Sequence, residues 1–111
     1  GTWGAEVIDS LKPQPGDIII PKKTYSGFFQ TPLELNLREL GVDTVIITGW
    51  QADCCCRHTS ADAFFRGFDI IVPRETTDTL TQEDCDRGLE YIKNIYGGTI
   101  CSMKDLPFWT E

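Results

Sequence analysis

The sequence predicts an α/β domain in three layers, with helices over both faces of a parallel sheet. Two observations predict it. Short runs that are apolar almost throughout recur at residues 17–21 (DIIIP), 43–48 (DTVIIT) and 68–73 (FDIIVP), as in strands buried on both faces. Longer segments with helical start and stop signals lie between them, so strand and helix alternate along the chain. The 111 residues suffice for one domain with one core, and no repeat, low-complexity stretch or linker divides them.

Residues 5–11 (AEVIDSL) read as a short helix stopped by Pro13 and Pro15. Residues 17–21 follow Pro15-Gly16 and read as a first buried strand, and residues 22–30 as a loop. Residues 32–40 read as a helix with Thr31 as N-cap, Pro32 at the first helical position and Gly41 as the stop. Residues 43–48 form a second strand ending at Gly49, and residues 54–66 a helix closed by Gly67. Asp53 is expected to cap that helix through its carboxylate, and Asp62 with Arg66 to form an i,i+4 surface pair. After the strand at 68–73, residues 81–96 contain a helix with the capping signal Thr81-x-x-Asp84, whose Leu89, Ile92 and Ile95 are expected to face one way. Residues 98–102 (GTICS) make a short last strand.

A net charge of −7, with no basic run interleaved with aromatics, excludes the electrostatic footprint of a nucleic-acid binder. It also disfavours a polyanionic substrate. No apolar run approaches a membrane span. Five cysteines, three of them adjacent at 54, 55 and 56, make a poor disulfide framework and a poor metal site, which fits a reducing cytoplasm.

In open α/β sheets, ligands sit at the carboxyl ends of strands. The first strand here ends at Pro21-Lys22-Lys23, followed by Tyr25-Ser26-Gly27-Phe28. The second ends at Gly49-Trp50-Gln51-Ala52-Asp53, where the cysteine run opens a helix. A cysteine there meets the positive end of the helix dipole and unpaired N–H groups, both of which favour thiolate. The same N–H groups can hold an oxyanion, so the spacing suits nucleophilic acyl chemistry. Cys54, Cys56, Cys85 and Cys101 read as packing residues, and His58 as a surface or satisfied structural histidine.

The segment VIITGWQADCCCRHTSADAFFRG, residues 45–67, resembles the signature of the isochorismatase-like cysteine hydrolases: strand, Thr-Gly, short loop, cysteine, then a helix ending in Arg-Gly. Cys55-x-Arg57-His58-Thr59 with Asp62-Ala63-Phe64 is similar to the nicotinamidase/pyrazinamidase branch. Residues 1–7, the run Asp17-Ile18-Ile19-Ile20-x-Lys22 with Tyr25-Ser26-Gly27-Phe28, and residues 87–91 and 96–97 also resemble that family. The resemblance implies Cys55 as nucleophile, in a register set by Arg57-His58-Thr59 rather than shifted to Cys54. It implies Lys22, which directly follows the strand pattern, as the catalytic lysine in preference to Lys23. The backbone N–H groups of Gln51 and Cys55 would form the oxyanion hole, and the Trp50–Gln51 bond would be cis. Trp50, Tyr25 and Phe28 are candidates to line the substrate pocket, with plain packing as the alternative for each.

The implied reaction is hydrolysis of a small amide, nicotinamide first. An aspartate takes the thiol proton, Lys22 stabilises charge, Cys55 attacks the carbonyl, ammonia leaves, and water cleaves the thioester. The resemblance places that aspartate, and an Asp-x-His plus a later His for a zinc-like divalent metal, before Gly1. No metal ligand is therefore expected in this chain, where His58 is the sole histidine. In the family's strand order 3-2-1-4-5-6, the four strands here correspond to 3, 4, 5 and 6. Residues 1–111 are accordingly expected to be the C-terminal portion of one domain lacking its first two strands. The implied partners are the missing N-terminal segment, a small amide substrate and further copies in a homo-oligomer. Hydrolysis of a ureido compound, another amide or isochorismate, and a non-catalytic binding or assembly module, are the competing readings.

Overall fold

Three parallel strands form the centre of the molecule: β1 (Thr44–Ile46), β3 (Asp69–Pro73) and β5 (Thr99–Cys101), in the order β1-β3-β5. The computed structural model describes residues 6–106. Thr44 lies opposite Asp69, and Ile71 opposite Thr99, so the sequence's second, third and fourth strands are consecutive neighbours. Helix α1 (Leu33–Leu40) precedes β1, and helices α2 (Cys55–Phe65) and α3 (Gln82–Tyr96) provide the crossovers from β1 to β3 and from β3 to β5. A two-residue parallel pair, β2 (Gly49–Trp50) with β4 (Thr77–Asp78), sits beyond the strand ends.

The core is built from Ile70 and Val72 of β3, Ala63 of α2, Leu89 and Ile92 of α3, and Phe28 and Phe68. On α3 the buried positions are Cys85, Gly88, Leu89 and Ile92, an i, i+3, i+4, i+7 stripe. Ile95 was expected to share that face but is 53% exposed. The helix ends one residue later at Tyr96, and Gly97, with φ 67°, turns the chain back toward β5. Thr81 caps α3 as its sequence signal predicts: the Asp84 N–H donates to its hydroxyl at 3.1 Å. Thr81→Ala is therefore expected to lower stability by about 1 kcal/mol, read as a reduced urea midpoint with an unchanged slope.

Several expectations need correction. Among the described residues, 5–11 yield only a 3-10 turn at Asp9–Leu11, with no buried residue; Ala5 and the resemblance at residues 1–5 lie outside the described residues. Residues 17–21 join no sheet, and Ile19 is 70% exposed. An apolar run becomes a strand only when a neighbour takes its backbone groups, and no described strand lies beside it. Pro32 occupies the N-cap position of α1, although the Leu33 N–H still donates to the Thr31 hydroxyl at 3.3 Å. Asp62 and Arg66 pair at 3.1 Å, but not as an isolated surface couple. Arg66 also bonds Glu34 at 2.9 Å, and Asp62 accepts from Ser26 at 2.5 Å, which ties the 22–30 loop and α1 to α2.

Candidate active site

The turn between β2 and α2 sets the geometry of the site. The Trp50–Gln51 peptide bond is cis. The Gln51 carbonyl accepts from the N–H groups of both Cys54 (3.2 Å) and Cys56 (3.0 Å), folding the turn tightly against the helix start. Cys55 is the first residue of α2 and is half-buried, so its thiol stands at the positive end of an 11-residue helix. The backbone N–H groups of Gln51 and Cys55 have no acceptor among the described residues. They are left free for an anion.

A cleft of about 510 Å³ opens beside this turn, lined by Lys22, Tyr25, Phe28, Trp50 and Cys55 together with the β1 strand and α1. The fold thus brings five of the six sequence-derived candidates to one cavity. Gln51 is the exception and contributes only through the adjoining turn. Lys23 does not line the cleft. Lys22 Nζ donates to the carbonyls of Thr24 (2.8 Å) and Tyr25 (3.3 Å), which anchor the ammonium at the cleft wall. Tyr25 stacks on His58, with ring centroids 5.4 Å apart, and is 56% exposed. Phe28 is buried against Phe68, beneath the Arg66 guanidinium. Trp50 stands 55% exposed at the rim.

The flanking thiols differ from Cys55 in their surroundings. Cys56 is buried, and its thiol donates to the Gly49 carbonyl at 3.4 Å. Burial pushes this thiol up, partly opposed by the Thr77 hydroxyl. Burial also raises Cys54, as does the neighbouring Cys55, while the Lys22 ammonium pulls it down. Cys56 therefore keeps its proton in the folded state at a pH where the unfolded chain has lost it. A raised folded value contributes stability that is fully present below the ordinary value of 9.0 and disappears as pH rises through the folded value. Alkaline denaturation should show this loss, and the Cys56→Ala variant should show a flatter stability profile above pH 9.0.

Two further residues, Thr77 and Thr79, shape the turn, and neither carries a sequence signal. Asp53 does not cap α2, because Cys54 takes the N-cap position without a side-chain bond. Its carboxylate instead accepts from the Thr79 hydroxyl at 2.7 Å. Thr77 donates to the Gly49 carbonyl at 2.6 Å. Both partners lie more than 25 residues away in sequence, which local patterns cannot reveal. His58 is exposed, with Nδ1 2.7 Å from the Cys54 carbonyl, and so is a satisfied helix histidine.

The resemblance places its metal ligands before Gly1, outside this chain. Among the described residues no three His, Cys, Asp or Glu side chains are grouped to hold an ion. Also among the described residues, no helix is long and apolar enough to cross a membrane.

Residues 1–105 match the family model described as the isochorismatase domain. The chain is 34% identical over 103 residues to the ureidoacrylate amidohydrolase RutB of Pantoea ananatis, covering 93% of this chain and 41% of that protein. It is 42% identical over 77 residues to the enzyme of the same name from Methylorubrum extorquens, covering 69% of this chain and 31% of that protein. The structure superposes on N-carbamoylsarcosine amidase from Thermoplasma acidophilum with a TM-score of 0.87 at 37% identity, over 96% of this chain and 60% of that one. A pyrazinamidase/nicotinamidase from Streptococcus mutans superposes with a TM-score of 0.70 at 40% identity, over 71% of this chain and 44% of that one. The chain thus spans well under half the length of these curated relatives.

Proposed function

Because the chain belongs to the isochorismatase family, we propose that it carries the nucleophile of a cysteine amidohydrolase that splits a carbon–nitrogen bond in a small amide or ureido compound. The observation that carries this reading is Cys55 at the first position of α2, facing a cleft that also holds Lys22. The Cys55 thiolate attacks the carbonyl carbon, and the N–H groups of Gln51 and Cys55 receive the developing oxyanion. The proton taken from the thiol passes to the departing nitrogen, which leaves as ammonia or an amine, and water hydrolyses the resulting thioester, or thiocarbamate where the substrate is a ureido compound. The base that takes the thiol proton is, by the resemblance, an aspartate preceding Gly1.

Nicotinamide was the first substrate expected from sequence. A ureido or carbamoyl compound is supported by the Pantoea ananatis enzyme and the N-carbamoylsarcosine amidase, which match over 93% and 96% of this chain, against 71% for the nicotinamidase. The cleft's mainly aliphatic and aromatic lining, with the single cation Lys22, suits a small neutral carbonyl group. The five free cysteines support a reducing compartment such as the cytoplasm.

We read residues 1–111 as the C-terminal portion of a single domain. β1 has an open edge among the described residues, and the exposed Ile18 and Ile19 resemble a strand without its neighbour. A preceding segment of the same domain would cover both, sparing about 1–3 kcal/mol for each backbone group otherwise buried unpaired. The purified full-length protein is expected to release ammonia from N-carbamoyl and ureido compounds faster than from nicotinamide. Faster release from nicotinamide would reverse the substrate order, and no release from any amide would favour a binding or assembly module. A 111-residue form that is folded and monomeric by itself would contradict the partial-domain reading.

A further inference from the structure

We infer that Thr79 is a positioning residue for Cys55, acting through Asp53 to hold the turn that presents the nucleophile. This rests on the reading of Cys55 given above. Asp53 precedes Cys55 by two residues and sits in the turn that joins β2 to α2. Thr79 is 7% exposed, and its hydroxyl donates to the Asp53 carboxylate at 2.7 Å. A hydrogen bond to a charged acceptor in a buried setting is among the stronger kinds. Thr79 is held in turn, since its own N–H donates to the Asp78 carboxylate at 2.8 Å. The backbone adds a second tie: the Ala52 N–H donates to the Asp78 carbonyl at 2.8 Å.

Helix α3 closes the other side. A Cβ on Gly88 would stand 2.7 Å from Asp53 Cα and 2.9 Å from its nitrogen, so the helix backbone lies directly against the turn. Asp53 is therefore held between a hydroxyl and a helix surface. Without the Thr79 hydroxyl the carboxylate is free to swing, and the Gln51 and Cys55 N–H groups lose a fixed relation to the sulfur. A small displacement of reacting groups is enough to slow the chemical step.

The test uses the full-length enzyme with its best amide substrate. Thr79→Val keeps the volume and removes the donor; Thr79→Ser keeps the donor. The expected result is a fall in kcat of about ten- to a hundredfold for Thr79→Val with KM nearly unchanged. Thr79→Ser should restore kcat, and alkylation of Cys55 should slow in Thr79→Val alone. Asp53→Ala breaks the same bond from the other end, and the double variant should lose no more than either single one. Thr79→Val turning over at the wild-type rate while Cys55→Ala is inactive would overturn the positioning role alone. A Cys55→Ala variant with wild-type turnover would overturn the nucleophile reading itself. If Thr79→Val and Asp53→Ala both fail to fold while Thr79→Ser folds, the bond serves folding and the positioning role is rejected.

Discussion

Replacing Cys55 with alanine in the full-length protein is expected to lower kcat by at least about a thousandfold, with the fold intact. The expectation follows from what the three adjacent sulfurs experience. Cys55 alone combines the first position of α2 with a place in the cleft that also holds the Lys22 ammonium, beside N–H groups that lack acceptors among the described residues. Cys56 also borders that cleft, but its thiol is buried and donates to the Gly49 carbonyl, with burial pushing it up. Cys54 precedes the helix and is likewise raised, by burial first. Cys54→Ala should therefore keep turnover of the wild-type order, and Cys56→Ala should act on stability rather than on the chemical step. Lys22→Ala should fall between these limits, because its ammonium lies in the same cleft but does not form the bond. Steady-state ammonia release, with circular dichroism to verify folding, reads all four variants.

The largest stability effect is expected at Ile92. This residue is fully buried where α3 meets the sheet, and its methyl group lies against Gly98 at the turn into β5. Ile92→Ala removes three carbons from a position that the surrounding backbone cannot collapse to fill. A loss of about 2–5 kcal/mol is expected, read as a shift of the urea midpoint in the full-length protein. Ile95→Ala on the same helix should change stability by less than about 0.5 kcal/mol, since Ile95 projects from the molecule. Equal losses at the two positions would mean that α3 packs through a different face.

The pair Ile92 and Ile95 also marks where sequence patterns stop. Apolar periodicity located α3 and its inner stripe but could not tell that Ile95, one residue from the helix end, lies exposed. The strands at 43–48 and 68–73 were legible as apolar runs between helical segments, but only β3 is largely buried, as expected; β1 is not, and its Ile46 is 40% exposed because β1 lies at the edge of the described sheet. The run at 17–21 has the same composition and forms no strand, because strand formation also requires a neighbour, a non-local condition. Cys55, Lys22, Tyr25, Phe28 and Trp50 come from two separate stretches, and the motif resemblance, not spacing, picked them as a set. Thr77 and Thr79 escaped notice because a threonine in a polar linker carries no mark until the fold brings it against Gly49 and Asp53. Asp53 itself illustrates the competition for one carboxylate: a helix start and a distant hydroxyl were both available, and the buried hydroxyl holds it.

The most direct measurement is substoichiometric alkylation of the full-length enzyme with iodoacetamide. Residual activity and the modified cysteine are followed together by peptide mass spectrometry, with and without substrate. Activity should fall in step with carboxamidomethylation of Cys55, and substrate should protect that residue. Full turnover with Cys55 completely alkylated, or inactivation that follows a different cysteine, would contradict the account.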